Sequence, residues 1–209
     1  MDSALKITRC IQSAANEVGL MAPDYDTAKL VIGLGLDEAM QTLFTDASPA
    51  TINQLVAAYK HHFVHGDTTQ QPLFAGVEAG LERLNNAGVL VAIATGKSRV
   101  GLDRVLAQSN LGQYFVYSRC ADESRTKPNP QMLLDILDFT AISVDRAIMI
   151  GDTSFDMDMA ANAKMRGLGV SYGAHPLERL HETSAVDIVH SFADVLQWIE
   201  LSGLEPAYS

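Results

Sequence analysis

Apolar residues change their rhythm once along this chain. Leu5, Ile7, Ile11, Ala14 and Val18 recur mostly every three or four residues, the spacing of one helix face, and Gly19 follows as a stop. Asp26 to Ile32 and Leu36 to Phe44 predict two short helices broken around Gly33 and Gly35. Ser48 is a natural cap for a longer helix, Pro49 to Val64, closed by His65 and Gly66. No strand is predicted before about Thr69.

From Pro72 onward strands and helices alternate. Val77 to Ala87 predicts a helix closed by Gly88. Val89 to Ala94 reads VLVAIA, an unbroken apolar run typical of a strand covered on both faces. Further helices are predicted at Arg99 to Ser109, Pro130 to Phe139, Phe155 to Ala163 and Ala193 to Leu201. The remaining strands are predicted at Tyr114 to Tyr117, Ala147 to Ile150, Arg166 to Ser171 and Val186 to His190. Such alternation predicts an α/β fold with a doubly wound parallel sheet. A helical module over residues 1–69 therefore precedes an α/β core over 70–209, joined by the polar, proline-containing stretch HGDTTQQPLF. An α/β core usually opens on a strand, whereas this chain opens on a helix.

Charge narrows the partners. With 25 acidic and 15 basic residues the formal net charge is −10. This argues against nucleic acid, whose backbone is bound by clustered Lys and Arg, and against an anionic membrane surface. A small anion remains compatible, because a pocket can be locally positive inside an acidic protein. No stretch approaches the ~20 apolar residues that span a bilayer. Cys10 and Cys120 stand far apart in no metal-binding pattern, so two free thiols and a cytoplasmic location are expected. His61, His62 and His65 lie on a polar helix end and read as a solvated face. Gly33-Leu34-Gly35 lacks the strand and third glycine of a dinucleotide site.

Three predicted strand ends carry polar groups, and ligands bind outside the carboxyl ends of such strands. Thr95-Gly96-Lys97-Ser98 supplies a hydroxyl, an open backbone and the start of a helix. That fits an anion cradle and equally a plain strand-to-helix turn. Lys127, in RTKPNP, is held on a proline-stiffened loop and fits either a phosphoryl-neutralising ammonium or a solvent-facing side chain. Gly151-Asp152 closes a strand, with Asp156 in the first turn of the next helix. Two carboxylates there suit a hard divalent cation, and they also suit a helix cap with a dipole-friendly acid. Taken together the groups make a phosphoryl-transfer set that lacks a nucleophile with its own strand.

In this order the motifs resemble the haloacid dehalogenase superfamily, in the subgroup with a helical cap that includes the phosphoglycolate phosphatases. Thr95 after VLVAIA is similar to the second motif, Lys127-Pro128 to the third, and Gly151-Asp152 with Asp156 to the fourth. VIGLGLDEAM is similar to the cap loop of phosphoglycolate phosphatases. Gly96 stands where many relatives carry Asn. The resemblance implies a Mg2+-dependent phosphatase of a small phosphorylated metabolite, phosphoglycolate by first choice; a monomer or weak homodimer is expected. It implies that Thr95, Gly96 and Lys127 hold the phosphoryl group, that Thr95, Lys127 and Asp152 are catalytic, and that Asp152 and Asp156 serve the metal.

The family's first motif, Asp-x-Asp-Gly-Thr, is matched only in its tail by Met1-Asp2-Ser3. The resemblance implies that the nucleophile and the general acid-base aspartate lie upstream of Met1, on a strand whose omission leaves a gap in the sheet. On that expectation the 209-residue chain is inactive by itself. A non-catalytic phospho-ligand-binding protein and a sugar-phosphate mutase of the same superfamily are the alternatives. Dehalogenation is disfavoured because Asp152 keeps the place of a metal carboxylate.

Overall fold

The computed structural model describes residues 1–202 of the 209. Its first third is helical. Helix α1 (Ala4–Val18) ends at Gly19, whose φ of 78° reverses the chain in a conformation glycine adopts without strain. Helices α2 (Tyr25–Lys29), α3 (Leu36–Leu43) and α4 (Pro49–His61) follow. Asp24 caps α2 and Ser48 caps α4, each accepting from a backbone amide three residues on. The predicted helix from Asp26 stops short at Leu30, because Ile32 and Leu34 form an isolated bridge around Gly33. A single π turn, His62–Gly66, continues α4. Ile11, Ala14, Val31, Met40, Ile52 and Leu55 are all buried in one cluster built from these helices and the segment between α2 and α3, with Phe155 packed on its side.

The rest alternates as the pattern predicts. In order come α5 (Val77–Asn86), β1 (Ala92–Thr95), α6 (Arg99–Ser109), β2 (Tyr117–Cys120), α7 (Gln131–Thr140) and β3 (Ile148–Gly151). Then follow α8 (Ser154–Asn162), β4 (Arg166–Val170), α9 (Leu177–His181), β5 (Asp187–Val189) and α10 (Phe192–Leu201). Strand β2 starts at Tyr117 rather than Tyr114, because Gly112–Tyr114 closes a 3-10 turn and the chain first meets its neighbour where Val116 N donates to Val91 O, 2.9 Å. Five-residue α9 carries no long periodic signal and lies outside the predicted elements.

Every ladder is parallel, but the strands form two sheets. Strand β1 pairs β2 with Thr95 opposite Cys120, and β3–β4–β5 form the other, with Gly151 opposite Gly169. Two apolar clusters cover the faces. Val89 and Val91 share one with Ile148, Ile150 and Leu168, and Ala94 shares the other with Met149, Met132 and Met159. Thus β1 and β3 are held together by their side chains, while among the described residues no ladder joins them. Residues of the VLVAIA run are accordingly half-buried, not fully buried as predicted, because one edge of β1 has no partner strand among the described residues. Cys10 and Cys120 are buried free thiols. No helix of the described residues is long and apolar enough to cross a membrane.

Candidate active site

Parallel strands deliver their C-terminal ends to one side, and the shared apolar clusters align β1 with β3, which brings Thr95, Gly151 and Asp152 to a common rim. Thr95 Oγ1 accepts from Lys97 N at 3.1 Å, tightening the turn after β1. Ser98 then caps α6 by accepting from Gly101 N. Gly96 is fixed by crowding: a Cβ there would lie 2.6 Å from Leu34 O and 2.8 Å from Gly33 O. The absence of a side chain lets the backbone of residues 33 and 34 lie against the turn after β1.

Lys127 is 5% exposed, and its Nζ lies 2.6 Å from Asp156 Oδ1. The solvent-facing alternative is therefore excluded for this lysine. Asp156 is equally buried. Its Oδ2 accepts from Thr153 N at 3.1 Å and Thr153 Oγ1 at 2.7 Å, completing a capping box at the start of α8. A Cβ on Gly151 would collide with the Asp156 side chain. The expected metal-serving role of Asp156 meets a carboxylate whose oxygens already hold a lysine and a helix cap.

Asp152 differs. Its Oδ2 accepts from Ala174 N at 2.7 Å, and a Cβ on Gly173 would collide with it. Burial, then the nearby Asp156 charge, push its carboxyl above the usual range, opposed by the Ala174 bond and Lys127. A neighbouring divalent cation would offset that cost, and oxygen donors suit a hard ion such as Mg2+. The residues present fit the metal through Asp152. Among the described residues no group of three or more His, Cys, Asp or Glu converges on such an ion.

Two further groups carry no sign of chemistry in the sequence. Burial lowers the Lys97 ammonium, Asp152 draws it back up and Lys127 lowers it further, so both lysines and the aspartate share one electrostatic neighbourhood. His175 is 1% exposed; burial, then Arg179, push its imidazole down to about 4. A lone histidine in a loop has no spacing that marks it. The helical module also reaches the rim. Thr126 Oγ1 donates to Glu38 Oε2 at 2.6 Å, and Gly33 and Gly35 lie so close that a Cβ would meet Thr153 and Thr126 respectively. A crevice of about 430 Å³ runs along this seam, lined by Leu30, Leu34, Glu38, Pro128, Phe155 and Arg179 among others.

Comparison with known proteins bears on the family and the fold. The family model described as haloacid dehalogenase-like hydrolase matches residues 1–170. A probable phosphatase, IndB, of Dickeya dadantii is 28% identical over 94% of this chain and 87% of its own length. A phosphoglycolate phosphatase of Agrobacterium fabrum is 25% identical over 83% of this chain and 76% of its own. The crystal structure of a predicted phosphatase from Clostridium acetobutylicum superposes with a TM-score of 0.85 at 24% identity, covering 96% of this chain and 93% of that one.

Proposed function

The chain belongs to the haloacid dehalogenase-like hydrolase family, and we propose that within it this protein is a Mg2+-dependent phosphatase of a small phosphorylated metabolite, phosphoglycolate first among candidates. The observation that carries this reading is the buried Lys127 ammonium, locked by Asp156 and sharing the rim with Asp152 and the Thr95-Gly96 turn. A fixed cation, a hydroxyl and an open backbone amide suit a phosphoryl group, whose transfer is catalysed mainly by positioning and charge. Asp152 is the residue that would hold Mg2+, which when bound neutralises phosphoryl oxygens. Asp156 aims Lys127, and Lys97 adds a second positive charge to the pocket. The Gly33–Gly35 segment screens the rim from water and selects the leaving group.

Neither rim carboxylate suits direct attack, since Asp156 is engaged three ways and Asp152 is the cation's donor. We therefore place the nucleophile, and the acid-base aspartate with it, on an extended segment lying between β1 and β3. Among the described residues, β1 pairs only with β2 and β3 only with β4, which leaves each an open backbone edge for a segment in the slot between them. There the nucleophile would take the phosphoryl group while the acid-base aspartate protonates the departing alkoxide, and water, deprotonated by that same aspartate, would then hydrolyse the aspartyl-phosphate to inorganic phosphate. The alternative is a binding protein that holds a phosphorylated ligand without turnover, since the two rim carboxylates are taken up by the cation and by Lys127 in this reading.

The test is phosphate release from phosphoglycolate and from an aryl phosphate, with and without a chelator. Two proteins are compared: the 209-residue chain, and the same chain preceded by an apolar strand ending in Asp-x-Asp-Gly-Thr. Chelator-sensitive release only from the second supports both parts of the proposal. Tight phosphate binding with no release from either leaves the binding protein, and absence of both overturns the reading.

A further inference from the structure

Segment 30–38 touches every loop of the rim, and His175 is where those contacts meet. The loop after β4 binds Asp152 twice through its backbone: Ala174 N donates to Oδ2 at 2.7 Å and His175 N to Asp152 O at 3.0 Å. The imidazole then works in two directions. Its Nδ1 accepts from Ser154 N, 3.0 Å away, which places the proton on Nε2. That Nε2–H donates to Leu30 O at 3.1 Å, a bond between residues 145 apart in sequence. Phe155 stands edge-on to the ring at 5.3 Å and packs against the helical cluster on its other side. Arg179 Nε donates to Ser154 Oγ at 3.0 Å, steadying the same helix start. One buried side chain thus joins the Asp152 loop, the first turn of α8 and the helical module.

We propose that His175 is a positioning residue that couples the helical module to the rim: its two ring nitrogens make the placement of Asp152 and of α8 depend on whether residues 30–38 are docked. This deepens, and rests on, the phosphatase reading. When the module lifts, Leu30 O and Nε2–H part, and a polar pair leaves its partners in a half-dry seam, which opposes opening. The same loosening reaches Asp152 through residues 174 and 175, and reaches Lys127 through Ser154, Thr153 and Asp156. Only a docked module then presents a complete rim, so an empty pocket is less ordered than a filled one. A histidine that merely fills space would stabilise the fold without that dependence.

The two nitrogens can be separated by substitution. Gln at 175 reaches far enough to keep a donor on Leu30 O, whereas Asn can keep an acceptor for Ser154 N but falls short of Leu30. Exposed Asp46 and Gln108 are replaced by cysteine and labelled, and the distance distribution is recorded by double electron-electron resonance with and without Mg2+ and inorganic phosphate. Mn2+ affinity is measured in parallel. We expect the wild-type and His175→Gln proteins to share one short distance with ligand, and His175→Asn and His175→Ala to add a longer population. Their Mn2+ affinity should fall by about tenfold or more, as for other groups that orient a metal carboxylate.

Unchanged distances and affinity in Asn and Ala, with only a lower melting temperature, would overturn the proposal. Should those variants not fold, the wild-type Nε2 proton supplies the answer by NMR: its solvent exchange is expected to follow the opening rate of the module, and exchange independent of opening refutes the coupling. Neither readout requires turnover, so a protein that releases no phosphate still decides this point.

Discussion

Gly96 has no room for a side chain. An alanine Cβ would face two backbone carbonyls, which cannot swing aside as a flexible side chain does. Gly96→Ala is expected to push residues 33 and 34 off the anion loop, costing about 1–3 kcal/mol of stability and weakening phosphate binding. Urea unfolding and phosphate calorimetry check this; an unchanged affinity would mean the segment is not docked there in solution. Lys127 carries the opposite kind of constraint. Lys127→Met leaves the Asp156 carboxylate buried without its cation, which typically costs about 3–5 kcal/mol. Adding Asp156→Asn should recover part of the loss, since Asn can keep the Thr153 cap, and equal stability of the single and double variants in urea would count against the ion pair as the cause.

His175 ties stability to pH. Its folded pKa of about 4 lies below the value of about 6.5 expected of an unfolded chain. Between those values the unfolded state binds more protons, so stability is complete above roughly pH 6.5 and falls as pH drops toward 4. The full effect is on the order of 3 kcal/mol. Asp152, raised by burial, acts with the opposite sign, losing stability as pH rises through its folded pKa. The difference between the wild-type and His175→Gln urea profiles removes that contribution. It should slope upward from about pH 4 to about 6.5, and a flat difference would show the ring is not held neutral.

Among the elements, legibility follows the length and regularity of each signal. Helix α6 falls on Arg99–Ser109 as predicted, because Ser98 supplies a cap and the stretch has no competing partner. Strand β3 is readable from its apolar run into Gly-Asp. Strand β2 lies later than predicted because Tyr and Phe favour strands in general, while the local Gly112 turn decides where this one starts. The start of α8 shows why site residues read ambiguously. Asp156 fits a metal carboxylate and a capping acid equally well in sequence, and its bond to Lys127 exists only once two loops meet. Contacts of Gly33, Gly35 and His175 are illegible for the same reason, since each depends on a partner far along the chain. The split sheet gives this scale its own prediction. Strand β4 is paired on both sides and, among the described residues, β1 on one only. Amides of Leu168–Val170 should therefore exchange with solvent much more slowly than those of Ala92–Thr95. Equal protection by hydrogen-exchange mass spectrometry would mean that something fills the slot in solution.

For the whole molecule, charge sets two opposing influences on an incoming phosphate. The chain carries −10 overall, yet Lys97 and Lys127 stand near Asp152 at the rim. A compact domain of this length has a radius of gyration of roughly 17 Å. At about 0.01 M ionic strength the screening length is roughly 30 Å, so the entire negative charge repels an approaching dianion. Near 0.15 M it shrinks to about 8 Å, and the anion then responds mainly to the lysines at the rim. Phosphate should therefore bind more tightly as salt rises through this range, by roughly two- to fivefold, before higher salt weakens the local attraction too. Calorimetric titration of inorganic phosphate at fixed pH, with sodium chloride as the only variable, reads the effect directly. Affinity that falls from the lowest salt upward would show that the two lysines govern the approach from long range, and that the acidic surface faces away from the entrance.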